Sequence, residues 1–357
     1  MARFSYGGQA LIEGVLMRGR TAIAVALRHP DGRIVWADET LAVGFRATRW
    51  ARLPFVRGLV VLYETLVVGT RWLVRSAGIA AVEELAPMEP AQPAPSALKP
   101  AADPAGVQDA ADAGATPPPT PAAPPADSAD LGKGAVALML GLTLVVGVGL
   151  FFFLPLLLAK AIAGGQSGVV ERAVEGVIQI AIFLGYLLLI GRTSDVRRTF
   201  QYHGAEHMTI HALEAGDPLT VDAVRKYPTA HPRCGTEFLV VVILVSIVVF
   251  SVVGRQAIPV MVASRIVLIP VIAGISYELL RFGARHRDSR IVRWIFEPGI
   301  WVQKITTKQP TDDMLEVAIV SLEQALLADD EALPDGAGRI GRSPLMISAK
   351  ASPAAEA

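Results

Sequence analysis

Four long apolar runs set the pattern of the chain. Ala135–Leu158 is 24 residues without a charge. At about 1.5 Å per residue that length crosses a hydrocarbon core of about 30 Å. Gly176–Gly191 is shorter and recruits Ala173 and Val174, with Glu175 at the interface. Phe238–Val253 is rich in Val and Ile, and Ala257–Leu280 carries Arg265 inside it and Glu278 near its end. These runs predict a mainly α, polytopic helical membrane protein with spans over about 135–158, 173–191, 238–253 and 257–280.

Basic residues give the orientation. Lys160 and Arg172 lie between the first two spans, and Arg255 between the last two. Arg192, Arg197, Arg198, Arg225, Lys226 and Arg233 lie between the second and third, and Arg281, Arg285, Arg287, Arg290, Arg293, Lys304 and Lys308 follow the fourth. Both termini and segment 192–237 therefore belong on the cytoplasmic side of a cytoplasmic (inner) membrane. Arg265 falls toward the outer half of its helix, from where it snorkels outward.

The flanking regions read differently. Residues 1–85 predict a small α+β unit, with strands at Ala22–Leu27 and Arg33–Thr40 around the turn His29-Pro30-Asp31-Gly32. Leu53–Leu85 reads as a helix with bulky apolar residues, suited to lying on the membrane surface or inserting partly. Residues 86–130 hold 12 of the 25 prolines and read as a disordered Ala/Pro linker. Thr311, Asp312 and Asp313 start an amphipathic helix over 311–328, and 329–357 reads as a disordered tail.

Composition narrows the partners. The apolar class makes up 52% of residues and mean hydropathy is +0.45, too apolar for an ordinary soluble domain. A formal net charge of zero gives no basis for nucleic-acid binding and leaves the lipid bilayer as the expected partner. One cysteine, Cys234, excludes an internal disulfide framework. Met1–Leu11 lacks the pattern of a cleavable signal peptide, so membrane entry is expected from internal helices.

The candidate chemistry lies between the second and third spans, where His203, His207, His211 and His231 fall. His203-Gly204-Ala205-Glu206-His207 is an H-x-x-E-H string. On a helix its histidines stand about 40° apart around the axis, so both reach one metal ion. Glu206 sits about 60° to the other side of His203, placed to act as general base without ligating. That is the division of labour of the inverted zincin motif. A helix capped at Thr193, Ser194 or Asp195 runs to about Ala215, and Gly216 and Pro218 stop it. Glu214 shares the face of His203 but lies roughly 16 Å along the axis, too far to share an ion. His231 or Cys234, in His231-Pro232-Arg233-Cys234-Gly235, is the expected third ligand of a divalent metal such as zinc.

Other polar groups carry less. His211, about 80° from His203, reads as surface. His29 reads as a turn residue and His286 as part of a basic cluster. The stretch Gly7–Gly19 permits backbone amides to approach an anion but lacks the P-loop lysine, and it reads as a tight loop packed on the strands. Glu13 and Arg18 are placed to pair with each other. Asp195 and Arg198 read as a solvated face. Glu278 and Arg281 either support the histidine site from outside its ligands or form an interfacial ion pair.

These residues give the chain a resemblance. It resembles the YqhQ-like family of bacterial integral membrane proteins of unknown function, described as predicted metal-dependent enzymes. The likeness rests on Gly7-Gly8-Gln9-Ala10, Ile12-Glu13-Gly14-Val15 and Met17-Arg18-Gly19. It continues through Tyr202–His207, His231–Thr236, Ala273–Glu278, Glu297-Pro298-Gly299 through Gln303, and Thr306-Thr307. It covers about residues 6–82 and 131–327. It implies a bacterial cytoplasmic-membrane protein in which His203, Glu206, His207, Glu214, His231 and Cys234 match the family pattern. Met208 stands where that pattern implies a lysine, and His211 is outside it.

Three function classes follow. The leading one is a metal-dependent, hydrolytic membrane enzyme with Glu206 as base, metal held by His203, His207 and His231 or Cys234, and Glu214 and Glu278 in support. The others are a non-catalytic scaffold or assembly factor and a transport component. Transport is disfavoured by the few ionisable residues in the first three spans.

Overall fold

The computed structural model describes residues 6–41, 53–81, 133–165, 167–232, 234–253, 257–286 and 289–345. In chain order the elements are β1 (Gly7–Leu11), β2 (Gly14–Arg18), β3 (Ala22–Arg28), β4 (Ile34–Thr40), α1 (Val56–Ala81), α2 (Lys133–Val148), α3 (Leu154–Ala163), α4 (Gly168–Ile190), α5 (Ser194–Ala215), α6 (Val221–Val224), α7 (Thr236–Val253), α8 (Ile258–Arg285), α9 (Arg290–Thr306), α10 (Asp312–Ala328) and β5 (Ser343–Pro344). Leu85–Val148 forms a unit of its own, of which α2 is the described element, and Met1–Glu84 with Gly149–Ala357 forms the other. The linker expected at 86–130 lies outside the described residues.

The sheet has the order β1-β2-β3-β4-β5, antiparallel except where β4 meets β5. The glycine-rich start is thus a hairpin and not a loop: Gly7 pairs with Arg18 and Leu11 with Gly14, around a turn in which Glu13 takes a φ of 54°. Val15, Leu16 and Met17 are all buried, because β2 is covered on both faces. A strand of that kind reads as a continuous apolar run rather than an alternation, and the glycines around it favour a loop reading. The predicted pair of strands at 22–27 and 33–40 corresponds to β3 and β4.

Alternation sorts β3 onto two cores. Ala24 and Ala26 face Met208 and Ala212 of α5 and Leu315 and Ala318 of α10. Ile23, Val25 and Leu27 face Trp72 of α1. The small residues let α10 approach closely, and the buried Ser321 hydroxyl donates to the carbonyls of Val15 and Ala24 at 3.0 and 3.1 Å.

Two expectations for the C-terminal part are corrected. Helix α10 is buried on nearly every side from Met314 to Leu326, so it is a central helix rather than an amphipathic one. Its polar side is covered by the segment read as a disordered tail. Glu323 is fully buried and accepts from the Gly338 amide at 2.9 Å and from the Arg342 guanidinium. Leu219 N donates to Asp335 O, and β5 pairs with β4. The polar residues of α10 signalled a solvent face that the returning chain removes.

Among the described residues, four helical stretches are long and apolar enough to cross a membrane: Gly141–Ala163, Gly168–Ile190, Thr236–Val253 and Ala263–Arg285. The first contains a π-helical turn at Gly149–Phe153, directly before Pro155. Proline cannot donate to the carbonyl four residues back. That carbonyl, on Phe151, accepts instead from the Gln179 side chain of α4 at 3.3 Å. Arg265 does not snorkel. It is buried, bonds to Glu175 of α4, and lies 4.5 Å from the Phe250 ring. Arg172 completes the network at 3.0 Å from Glu175. Glu175 therefore joins α4 to α8 rather than facing the interface.

Helix α1 bridges the sheet and the apolar helices. Trp72 packs on the sheet, while Gly58 lies so close to the Tyr277 ring of α8 that a β-carbon would come within 2.7 Å of it. Arg57 binds Glu278.

Candidate functional site

Helix α5 forms as the sequence predicts, entering from Thr193 and ending at Gly216 in the left-handed region, φ 77°. His203 and His207 lie one turn apart with ring centres 4.4 Å from each other. Gly204, between them, faces the 306–308 segment so closely that a β-carbon would meet the Lys308 carbonyl. That approach brings two backbone carbonyls to the rings. His203 Nδ1 is 3.0 Å from Thr306 O, and His207 Nδ1 is 2.6 Å from Thr229 O. A carbonyl only accepts, so each Nδ1 carries the hydrogen and each Nε2 presents a lone pair. Fixing the tautomer from behind is how ligating histidines are held.

The loop before α7 supplies the third donor. Cys234 Sγ lies 3.1 Å from His203 Nε2, and the Thr236 hydroxyl and amide hold the sulfur at 3.1 and 3.4 Å. One donor atom each from His203, His207 and Cys234 falls within 4.8 Å of the others. Two imidazoles and one thiol are donor types that can hold a divalent metal such as zinc. Bonds of about 2.0–2.3 Å at tetrahedral angles put donor atoms about 3.3–3.6 Å apart, so a pair near the 4.8 Å limit must draw in by about 1 Å.

Glu206 is buried against the sheet edge. Burial raises its carboxyl to about 7, with His203 and a hydrogen bond from the Gly8 amide pulling the other way. Gly8 has no room for a side chain there, because a β-carbon would lie 2.9 Å from Glu206 Cγ. The glycine-rich start thus does bring an amide to an anion, and the anion is the protein's own. Glu206 Oε2 lies 3.4 Å from His207 Nε2. Burial pushes His207 down to about 2, so it stays neutral, the ligating form. Burial also pushes the Cys234 thiol up to about 12. A divalent cation at that sulfur reverses the preference.

The remaining predicted residues separate. His231 stands outside the three-donor group. Its Nε2 lies 3.4 Å from Glu214 Oε2, and its amide donates to Gln303 Oε1 at 2.9 Å. Its ring is nevertheless 5.7 Å from that of His207 and 4.4 Å from that of His211. His211, read as surface, extends the row, stacks on Tyr227 at 5.9 Å and donates to Ala230 O. The spacing 203, 207, 211 was the available signal. Glu278 is not beside the histidines. It binds Arg57 and the Phe55 amide. Arg198 pairs with Glu13 at 2.5 Å, and Arg18 with Glu64 at 3.2 Å. Glu13 and Arg18 sit at opposite ends of their hairpin, which is why they do not meet.

A cavity of about 550 Å³ opens on the cluster. His203, Glu206, His207 and Cys234 line one side. Gly8, Gln9 and Leu16 of the sheet, Val61, Glu64, Thr65 and Val68 of α1, Tyr277 of α8, and Arg18 and Arg20 are also part of the lining.

Comparisons with known proteins give the chain its relatives. The family model described as "Protein of unknown function (DUF1385)" matches residues 53–328. The uncharacterized protein YqhQ of Bacillus subtilis (strain 168) is 30% identical over 330 residues, covering 90% of this chain and 92% of that protein. No solved structure matches.

Proposed function

The chain belongs to the DUF1385 family, whose function is unknown, and from that premise we propose that it is a metal-dependent, hydrolytic membrane enzyme. The observation that carries this reading is the convergence of His203, His207 and Cys234 within 4.8 Å, with both imidazole Nδ1 atoms already committed to backbone carbonyls. His203, His207 and Cys234 hold the ion. A divalent metal such as zinc supplies Lewis acidity, which polarises a carbonyl or phosphoryl oxygen and acidifies water. Glu206, near neutrality, accepts a proton from the attacking water and returns it to the leaving group. Thr306 and Thr229 keep the rings oriented. The distribution of Lys and Arg supports a multi-pass protein of the bacterial cytoplasmic membrane, with both termini and the site on the cytoplasmic side.

The test is metal content of the detergent-purified full chain by mass spectrometry. About one equivalent is expected in the parent and none in His203→Ala/His207→Ala. Glu206→Gln is expected to keep the metal and lose turnover. No metal in the parent after reconstitution with zinc, manganese and iron overturns the reading.

A second reading is favoured by the 3.1 Å separation of His203 Nε2 and Cys234 Sγ, which suits a thiol donating to an imidazole. The cluster is then a metal-free polar core of a scaffold or assembly factor, and histidine variants change co-purifying proteins instead of metal.

A further inference from the structure

The position of the cavity narrows what it takes. Cys234 lies two residues before Thr236, where an apolar helix of membrane-crossing length begins. Tyr277, across the cavity, lies inside another such helix, Ala263–Arg285. The cavity therefore sits where the chain enters the bilayer. Its side wall is α1, which has two unlike faces. Val61, Thr65 and Val68 are spaced at one helical face and line the cavity. Tyr63, Leu66 and Val67 fall on the opposite face and are 68, 64 and 46% exposed. Bulky apolar side chains left open on a helix fastened to α8 match lipid rather than water.

The lining is divided in the same sense. The reactive groups, His203, Glu206 and Cys234, gather at one end. Apolar lining comes from Val61 and Val68 of α1, the latter packed on the sheet core, and from Leu16, Ile23 and Tyr277. Both cations that line the cavity have acidic partners, Arg18 in Glu64 and Arg20 in Glu331. The geometry points to a membrane-borne, single-chain amphiphile as the ligand, with its polar head at the His203–Cys234 end and its chain against Val61, Thr65 and Val68. About 550 Å³ is the size of a site for one small molecule and excludes a folded partner. The assignment rests on the reading of the cluster as the reactive end. A ligand resident in the bilayer also explains why the cluster is completed by Cys234, just ahead of an apolar helix, since the scissile group arrives at headgroup depth.

The test uses the full chain in lipid vesicles with lysophosphatidylglycerol carrying a diazirine in its acyl chain. Adducts are mapped by peptide mass spectrometry. Saturable adducts are expected on Val61, Thr65, Val68 or Tyr277. Excess unlabelled lysophosphatidylglycerol is expected to remove them, and excess glycerol phosphate is not. Val68→Trp and Val61→Trp, which fill the chain end, are expected to lower these adducts at least tenfold while adducts on Tyr63 and Leu66 persist. The outer-face adducts report that α1 is in place, so a misfolded variant is recognised. Adducts confined to the outer face, or cavity adducts that glycerol phosphate removes equally well, overturn the proposal. Metal content measured on the same samples is an independent readout: cavity labelling without metal refutes the hydrolase reading, and metal without cavity labelling refutes the amphiphile.

Discussion

Glu206→Gln in the metal-free protein isolates the electrostatics of the site. The Glu206 carboxyl titrates near 7 in the folded chain, chiefly because burial disfavours its charge, against 4.5 in the unfolded chain. A folded value above the unfolded one means that the folded state holds the proton longer. The stability contributed is fully present below about 4.5 and is lost as pH rises through about 7. The separation, at about 1.4 kcal/mol per unit, amounts to about 3 kcal/mol. Glutamine is close in size and does not titrate. The stability of parent relative to variant should therefore fall by about 3 kcal/mol between pH 4.5 and pH 8, roughly 4 °C in melting temperature for a chain of this size. Thermal unfolding of chelator-treated protein, followed by tryptophan fluorescence in detergent, measures it. Parallel curves across that range would falsify the placement of Glu206 in a water-poor pocket. With zinc restored, the nearby positive charge should shrink the difference.

Three further outcomes follow from packing and hydrogen bonding. Gly204→Ala places a methyl on the Lys308 carbonyl and should displace Thr306 from His203, so metal affinity should fall about 10–100-fold with the secondary structure intact; competition with a chromogenic chelator reads it. Asp329→Ala removes the acceptor of Tyr6 OH, Arg20 N, Thr21 N and Thr21 Oγ1 and should cost about 3 kcal/mol, measured by thermal unfolding, with Asp329→Asn milder. Burial lowers the His211 pKa, so folding favours its neutral form and the stability it contributes is present above the unfolded value of 6.5 and lost as pH falls below it. His211→Gln should therefore flatten the acid side of the stability curve, and an unchanged slope below pH 6.5 would contradict that assignment.

What the sequence made legible follows signal strength. Uncharged runs of membrane-crossing length are written residue by residue, so the presence of four apolar helices was readable. Helix α5 was equally plain because Thr193 and Gly216 bracket it, and the placement of His203 and His207 on one face followed from the 3.6-residue period. The hairpin of β1 and β2 was hidden because a doubly covered strand has no alternation and its glycines imitate a loop. Helix α10 misled for the opposite reason: Glu323 and Gln324 mark a polar face, but the partner that buries it arrives 15 residues later. Cys234 could not be separated from His231 as third donor, since both follow α5 at similar range and only the Glu214 contact sets His231 apart. The oxygens of Thr229 and Thr306 belong to the backbone, which carries no residue signature.

Those two oxygens make the cluster dependent on the apolar helices as well as on the sheet. His203 and His207 are rigid on α5, yet an H-x-x-E-H string on a helix leaves both imidazole tautomers open. Thr306 O settles one, and it comes from the last residue of α9, whose Gly299 packs within 2.8 Å of Glu237 at the start of α7 when its missing β-carbon is supplied. Thr229 O settles the other, from the loop that leads into Cys234 and α7. Gly8, from the sheet edge, supplies the amide at Glu206. Three segments far apart in the chain thus fix three atoms; one is delivered by α9, which packs on the membrane-crossing candidate α7, and another by the loop that leads into α7. Cutting the soluble-looking sheet and α5 away from α7 and α9 would leave every side-chain donor of α5 in place and still lose the orientation of both rings. The metal affinity of such a fragment, if it folds, should then be that of two unconstrained histidines on a helix, whereas a site preset by α5 alone would keep the affinity of the whole chain.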